Sequence, residues 1–299
     1  MDETTGTMAG KIVVLTGATS GIGRVAARRL GERGATVVLT GRDRERGRAA
    51  LREVREAGGD GRFVRADVAD LDAVRSLADV VRERYDRLDV LVHNAALSLS
   101  SRRTVDLGGR AVEAVFLVNH LAPFLLTYEL VDLLVASAPA RVVVTASSVH
   151  RRGELALSDL ALDDEYDALD AYARSKLANV LFTVELADRL AGTGVTANAY
   201  HPGFVPGSGL YRDTSLPLSL AVRLAARLPF VGTSVAEGAA GLVALAADAP
   251  ADLTGAYVAG RSRETPDDRA HDAARRERLW NASADLVGVP RALPLRERG

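Results

Sequence analysis

Short runs of β-branched and leucine residues alternate with helical patterns along most of the chain. This alternation constrains the fold more than any other feature. Lys11-Ile12-Val13-Val14-Leu15-Thr16 reads as a buried strand, and the same pattern returns at residues 35–40, 61–66, 88–93, 141–146, 194–199 and 256–258. Helical patterns fall between these runs, at 24–33, 44–57, 70–85, around 112–135, from 170 to 190, and at 234–247. Such alternation requires right-handed crossovers and a parallel sheet covered on both sides. The expected fold is therefore α/β: one domain with a doubly wound parallel sheet of about seven strands and helices on both faces. Residues 11–260 are assigned to that domain, with the Gly-, Pro- and Ser-rich stretch 202–233 as a lid over the sheet edge. Residues 1–10 are expected to be disordered or loosely held. Residues 261–299 form a C-terminal extension, polar as far as Leu279-Trp280, with no element assigned.

The first strand runs into Thr16-Gly17-Ala18-Thr19-Ser20-Gly21-Ile22-Gly23, which opens the first helix. Glycines in that position let a ligand approach the backbone, and helix N-terminal amides suit a pyrophosphate. Gly17, Thr19, Ser20, Gly21, Ile22 and Gly23 are the candidate phosphate cradle. The end of the second strand should meet the adenosine ribose, where an acid would bind a 2′-hydroxyl and an arginine a 2′-phosphate. Thr40-Gly41-Arg42-Asp43 has no acid at its tip, so Arg42 favours NADP(H) over NAD(H). Asp67-Val68, after the third strand, can accept from an adenine amino group. Asp67 can equally cap the following helix.

Composition narrows the function. Net charge is −1, so no global field draws the protein to nucleic acid or to anionic membrane. The absence of cysteine excludes disulfides, thiolate metal sites and a cysteine nucleophile. The five histidines are scattered without ligand spacing, so no metal site is expected. Residues 1–10 lack the basic and apolar regions of a signal peptide. No uninterrupted apolar run reaches the ~20 residues of a spanning helix. A cytoplasmic protein without a membrane span is the expectation.

Tyr172 and Lys176 lie four apart at the start of an apolar helix and so share a face. A phenol titrates near ~10, and a neighbouring cation favours its ionised form, so the pair is a plausible acid/base device. His150 beside Ser148 suggests a serine hydrolase, but no Gly-x-Ser-x-Gly elbow surrounds Ser148.

These motifs, in this order, resemble the short-chain dehydrogenase/reductase family from Lys11 to about Val258. The glycine turn matches its Thr-Gly-x-x-x-Gly-Ile-Gly. His93-Asn94-Ala95-Ala96 stands where the family has Asn-Asn-Ala-Gly, keeping Asn94 and Ala95 but replacing the last glycine. Phe116-Leu117-Val118-Asn119-His120 matches the segment bearing a catalytic Asn. Thr145-Ala146-Ser147-Ser148 matches the strand end with a catalytic Ser, aligned with Ser148, Ser147 being the fallback. Within the family the chain is most similar to the retinol dehydrogenase-like branch, through residues 175–183, Gly194-Val195-Thr196, His201-Pro202-Gly203 and Leu279-Trp280-Asn281.

The resemblance implies a Rossmann-type fold and hydride transfer between nicotinamide and a carbonyl or alcohol carbon. Tyr172 would be the general acid/base, and Lys176 would lower its pKa and hold the nicotinamide ribose. Ser148 would bind the substrate oxygen, and Asn119 would hold a water linking Lys176 to solvent. Asn94, Ala95, Pro202, Gly203 and Val205 would line the cofactor site. Gly207 falls where the family places a hydroxyl, and Ser208 could serve only if the loop shifts by one. Leucines at 97, 99, 155, 157, 210, 216 and 218, with Phe204 and Tyr211, favour a lipophilic substrate. The expected activity is an NADP(H)-dependent reductase of ketones or aldehydes, of the kind used in natural-product biosynthesis. The alternatives are a non-catalytic nucleotide-binding regulatory protein, or an epimerase or dehydratase that retains NAD. Many relatives use the helices around 112–135 and 176–190 as a dimer face, so a homodimer is a further expectation.

Overall fold

The computed structural model describes residues 8–162, 166–210 and 232–295. Its main sheet contains β1 (Ile12–Leu15), β2 (Thr36–Gly41), β3 (Asp60–Arg65), β4 (Val90–His93), β7 (Ala140–Thr145), β8 (Val195–His201), β9 (Tyr257–Ala259) and β10 (Ser262–Glu264), in the order β10-β9-β8-β7-β4-β1-β2-β3. The pairings from β3 to β9 are all parallel, and β10 adds an antiparallel edge. The expected parallel sheet of seven strands is therefore present with an eighth strand joined to it. Val13, Val14, Leu15, Val37, Val38, Leu39 and β4's Val90, Leu91 and Val92 are fully buried. Strands covered on both faces read as unbroken apolar runs for this reason.

Among the described residues the α-helices are α1 (Gly21–Glu32), α2 (Arg44–Glu56), α3 (Leu71–Arg84), α4 (Ala114–Ala136), α5 (Ala168–Arg189), α6 (Val235–Ala247) and α7 (Ala273–Val287). Asp43, Asp70, Asp167 and Asp272 cap α2, α3, α5 and α7 with their carboxylates, and Ser234 and Glu237 form a reciprocal capping box on α6. Helix α4 contains a π-helical turn at Leu117–Leu121. It is long and apolar enough to cross a membrane, but 94% of its apolar window is buried in the core.

Two features differ from the sequence expectation. Met8 is 2% exposed, and its N–H donates to the Arg33 carbonyl, so the chain is already held from residue 8. Residues 1–7 lie outside the described residues. The stretch before α4 forms a small antiparallel hairpin, β5 (Thr104–Asp106) with β6 (Ala111–Glu113), which delays the helix to Ala114.

The extension also folds onto the domain. Helix α7 packs on α4 and α5. Trp280 lies between Phe124 (4.8 Å between ring centroids), Phe182 (6.0 Å) and the Arg189 guanidinium (4.2 Å). Arg276 binds Asp188 at 2.7 Å, with Glu185 at 3.4 Å. Helix α7 thus packs against the two helices expected to offer a homodimer face.

Candidate active site

Strand β1 has β2 on one side and β4 on the other. The chain winds outward to β3, then returns across β1 to β4. Such a reversal opens a crevice at the carboxyl ends of the strands. A cleft of about 700 Å³ opens there, lined from the glycine turn through Asn94, Ala95 and Tyr172 to Pro202, Gly203 and Val205.

The turn is built for close approach. Gly17 has φ +67°, and a Cβ there would stand 2.8 Å from the Ala95 Cα. Asn94 donates its side-chain amide to the carbonyls of Thr16 (3.1 Å) and Gly17 (3.2 Å). The Asn94 and Ala95 N–H groups donate to Thr16 Oγ1 at 3.0 and 3.1 Å. Asn94 therefore fixes the turn, and a Cβ on Gly23 would run into that same amide at 2.5 Å. Thr16 carries no local sequence signal for this role, which depends on a strand 76 residues away.

Helix α1 differs from the aspartate-capped helices. Its N-cap Ser20 makes no side-chain capping bond, and its first turn carries no acid. No carboxylate competes at this helix start, and its Ser20 and Ile22 line the cleft, as an anion such as a pyrophosphate requires. At the adenosine end, Arg42 is exposed on the rim, in a shallow depression with Asp43, Arg44, Glu45 and Arg65. Asp43 turns its carboxylate to the Glu45 and Arg46 N–H groups at 2.9 and 3.0 Å, so it is engaged by the helix. Asp67 and Val68 line the cleft. Asp67 accepts from Ala69 N–H at 3.1 Å, while Asp70 caps α3, so the helix-cap alternative for Asp67 does not hold. These residues fit a dinucleotide carrying a further phosphate on the adenosine ribose.

At the other end, Tyr172 is half-buried on the cleft wall. Lys176 is 1% exposed, with Nζ 5.4 Å from the Tyr172 ring centroid and donating to the Thr145 carbonyl at 2.9 Å. Burial lowers the Lys176 pKa to about 7. The shared face predicted for the pair is therefore present, with the ammonium beneath the ring.

Two assignments read differently in the structure. Asn119 sits in the π turn of α4. Its amide donates to the Leu97 carbonyl (2.9 Å) and Ser175 Oγ (3.0 Å), and its Oδ1 accepts from Leu97 N–H (2.7 Å). Both donors are spent on protein, so the side chain joins the loop after β4 to α5 instead of being free for a water. A π turn at such a point is a common device for re-aiming a residue. Of the two serines, Ser147 lines the cleft, whereas Ser148 is exposed at the start of the 3₁₀ turn Ser148–Arg152. That turn packs against α5, the helix bearing Tyr172.

After β8, the 3₁₀ turn Pro206–Ser208 brings Ser208 to the cleft, its carbonyl over Gly21, while Gly207 does not line it. Ser208, not Gly207, is therefore the residue of this turn that meets the cleft. Leu97, Leu99, Val105, Ala114, Val118 and Leu210 give the outer cleft an apolar wall. Leu216, Leu218, Tyr211 and most of the proposed lid lie outside the described residues.

Fold and site together define a dinucleotide-dependent oxidoreductase acting on CH–OH or C=O groups. The family model described as short chain dehydrogenase matches residues 11–215. Human retinol dehydrogenase 12 is 39% identical over 283 residues, covering 94% of this chain and 87% of that protein. Bovine dehydrogenase/reductase SDR family member 13 is 39% identical over 291 residues, covering 94% and 74%. Among solved structures, an uncharacterized protein from Mycobacterium Paratuberculosis superposes with TM-score 0.77 at 31% identity, covering 98% of each chain. A short chain dehydrogenase from Burkholderia cenocepacia in complex with NADP does so with TM-score 0.67 at 25% identity, covering 85% and 97%. The chain belongs to the short-chain dehydrogenase/reductase family, and its relatives at the sequence level include the retinol dehydrogenases.

Proposed function

We propose that the chain is an NADP(H)-dependent reductase of lipophilic ketones or aldehydes, of the kind that tailors natural products. The observation that carries this reading is the stack of Tyr172 over buried Lys176 in the same cleft that opens over the uncapped glycine turn. The tip of β2 carries Arg42 and no acid, which supports the phosphorylated cofactor; a carboxylate on the next loop, Asp67, pairs with the Arg42 guanidinium at 4.0 Å. The apolar outer wall and the retinol dehydrogenase relatives support a lipophilic substrate.

When bound, the cofactor supplies the hydride. Tyr172 gives its hydroxyl proton to the oxygen that becomes the alcohol. Lys176, poised near neutrality, returns a proton toward Tyr172 and favours its ionised form. Ser147, the serine that lines the cleft, donates to the substrate oxygen as charge develops there, and Ser148 opens the adjoining turn. Asn119 holds α5 and the Leu97 loop at the spacing this requires.

The experiment is consumption of NADPH with a panel of carbonyls, including retinal and polyketide-like ketones, compared with Tyr172→Phe. Turnover by the wild type and its loss in Tyr172→Phe support the reading. NADPH binding without turnover of any carbonyl would favour a regulatory protein. Conversion without net redox, with NAD surviving purification, would favour an epimerase or dehydratase.

A further inference from the structure

Two buried histidines, His120 and His150, are adjacent or nearly adjacent in sequence to residues assigned to the site, and the chemistry above uses neither. Each is 0% exposed, and each is bonded to the C-terminal extension.

His150 lies in the 3₁₀ turn that begins at Ser148. Its Nε2 accepts from the Asp267 N–H at 3.2 Å. A backbone N–H can only donate, so Nε2 carries no proton and Nδ1 does. Nδ1 then donates to the Ser147 carbonyl at 2.6 Å. One neutral tautomer satisfies both bonds. Arg269 closes the same junction, binding the Asp267 carboxylate and donating to the carbonyls of Arg151 and Gly153.

His120 lies next to Asn119 in the π turn. Its Nε2 is 2.8 Å from Ser283 Oγ on α7, and that hydroxyl gives its own proton to the Leu279 carbonyl at 2.8 Å. The hydroxyl therefore accepts from His120. Burial lowers both imidazole pKa values, that of His120 to about 3, so both rings are neutral at neutral pH.

We infer that the C-terminal segment is part of the catalytic scaffold: through His150 it sets the Ser147-Ser148 turn, and through His120 it sets the Asn119 turn. His120, His150, Arg269 and Ser283 are positioning residues. The inference rests on the oxidoreductase reading for the roles of the serines and Asn119.

The test uses the full-length chain and two independent variants, read by amide hydrogen exchange and by steady-state kinetics with NADPH. Arg269→Ala should speed exchange at residues 147–153 and lower kcat, each by about tenfold, with NADPH Kd changed by less than about twofold. Ser283→Ala should do the same at residues 117–121. If Arg269→Ala does not fold, His150→Asn replaces it, keeping a donor toward Ser147 while cutting the link to Asp267. Unchanged exchange in both turns overturns the inference, as does faster exchange with unchanged kcat. If the wild type reduces no carbonyl, the proposed function fails, and the exchange measurement still decides whether the extension holds the two turns.

Discussion

The Lys176 ammonium donates to the Thr145 carbonyl, 2.9 Å away at the end of the strand that leads to the paired serines. Burial lowers the Lys176 pKa from 10.5 to about 7. Between those two values the unfolded chain binds a proton at this position that the folded chain does not. Stability in the cofactor-free protein therefore rises with pH across that window. Lys176→Met removes this dependence. The variant should melt above the wild type at pH 7, with the gap shrinking toward pH 10, and should lose about a hundredfold or more in kcat. Thermal melts across pH, with a single-point activity assay, check both.

The two serines should separate in kinetics. Ser147→Ala is expected to lower kcat by about 10²–10³-fold, the cost of losing one donor to developing oxyanion charge. Ser148→Ala should stay within about fivefold, because its exposed side chain is not part of the cleft lining. The reverse ordering in steady-state assays would transfer the role to Ser148.

Arg42 should discriminate between the two nicotinamide cofactors. Arg42→Ala should weaken NADPH binding by about 10–100-fold, as expected for a charge-assisted contact to phosphate, and leave NADH binding nearly unchanged. Fluorescence titration with each cofactor measures this. Equal losses for both would place Arg42 outside the phosphate site.

Trp280 should anchor the extension. It is 3% exposed, and its indole N–H donates to the Arg291 carbonyl at 2.6 Å. Trp280→Ala should cost about 3–5 kcal/mol in denaturant unfolding followed by circular dichroism. It should also produce concentration-dependent self-association in size-exclusion chromatography, because the apolar faces of α4 and α5 lose their cover.

The central strands, the glycine turn and the Tyr172–Lys176 face were legible because each carries its signal locally. Val13, Val14 and Leu15 are buried from both sides, so periodicity alone reveals them. The hairpin of β5 and β6 was not legible: three-residue strands with exposed Thr104, Asp106 and Ala111 leave no pattern. Nor were the buried polar residues. Glu113 is fully buried and accepts from the Val115 and Phe116 N–H groups, and Arg174 is buried against the Asp159 and Leu160 carbonyls. Such residues become tolerable only through tertiary partners. The commitments of Asn119 to Leu97 and Ser175 were hidden for the same reason, as was α7, whose apolar positions make sense only against helices far earlier in the chain.

The order in which these helices are synthesised has its own consequence. Helices α4 and α5 are made long before α7, so during translation their apolar flank is bare until residue 287 has left the ribosome. A product broken off between α6 and α7 would have the whole sheet and every residue assigned to chemistry, yet expose a sticky side. Proteolytic quality control that recognises such a side would remove truncated copies while sparing finished ones.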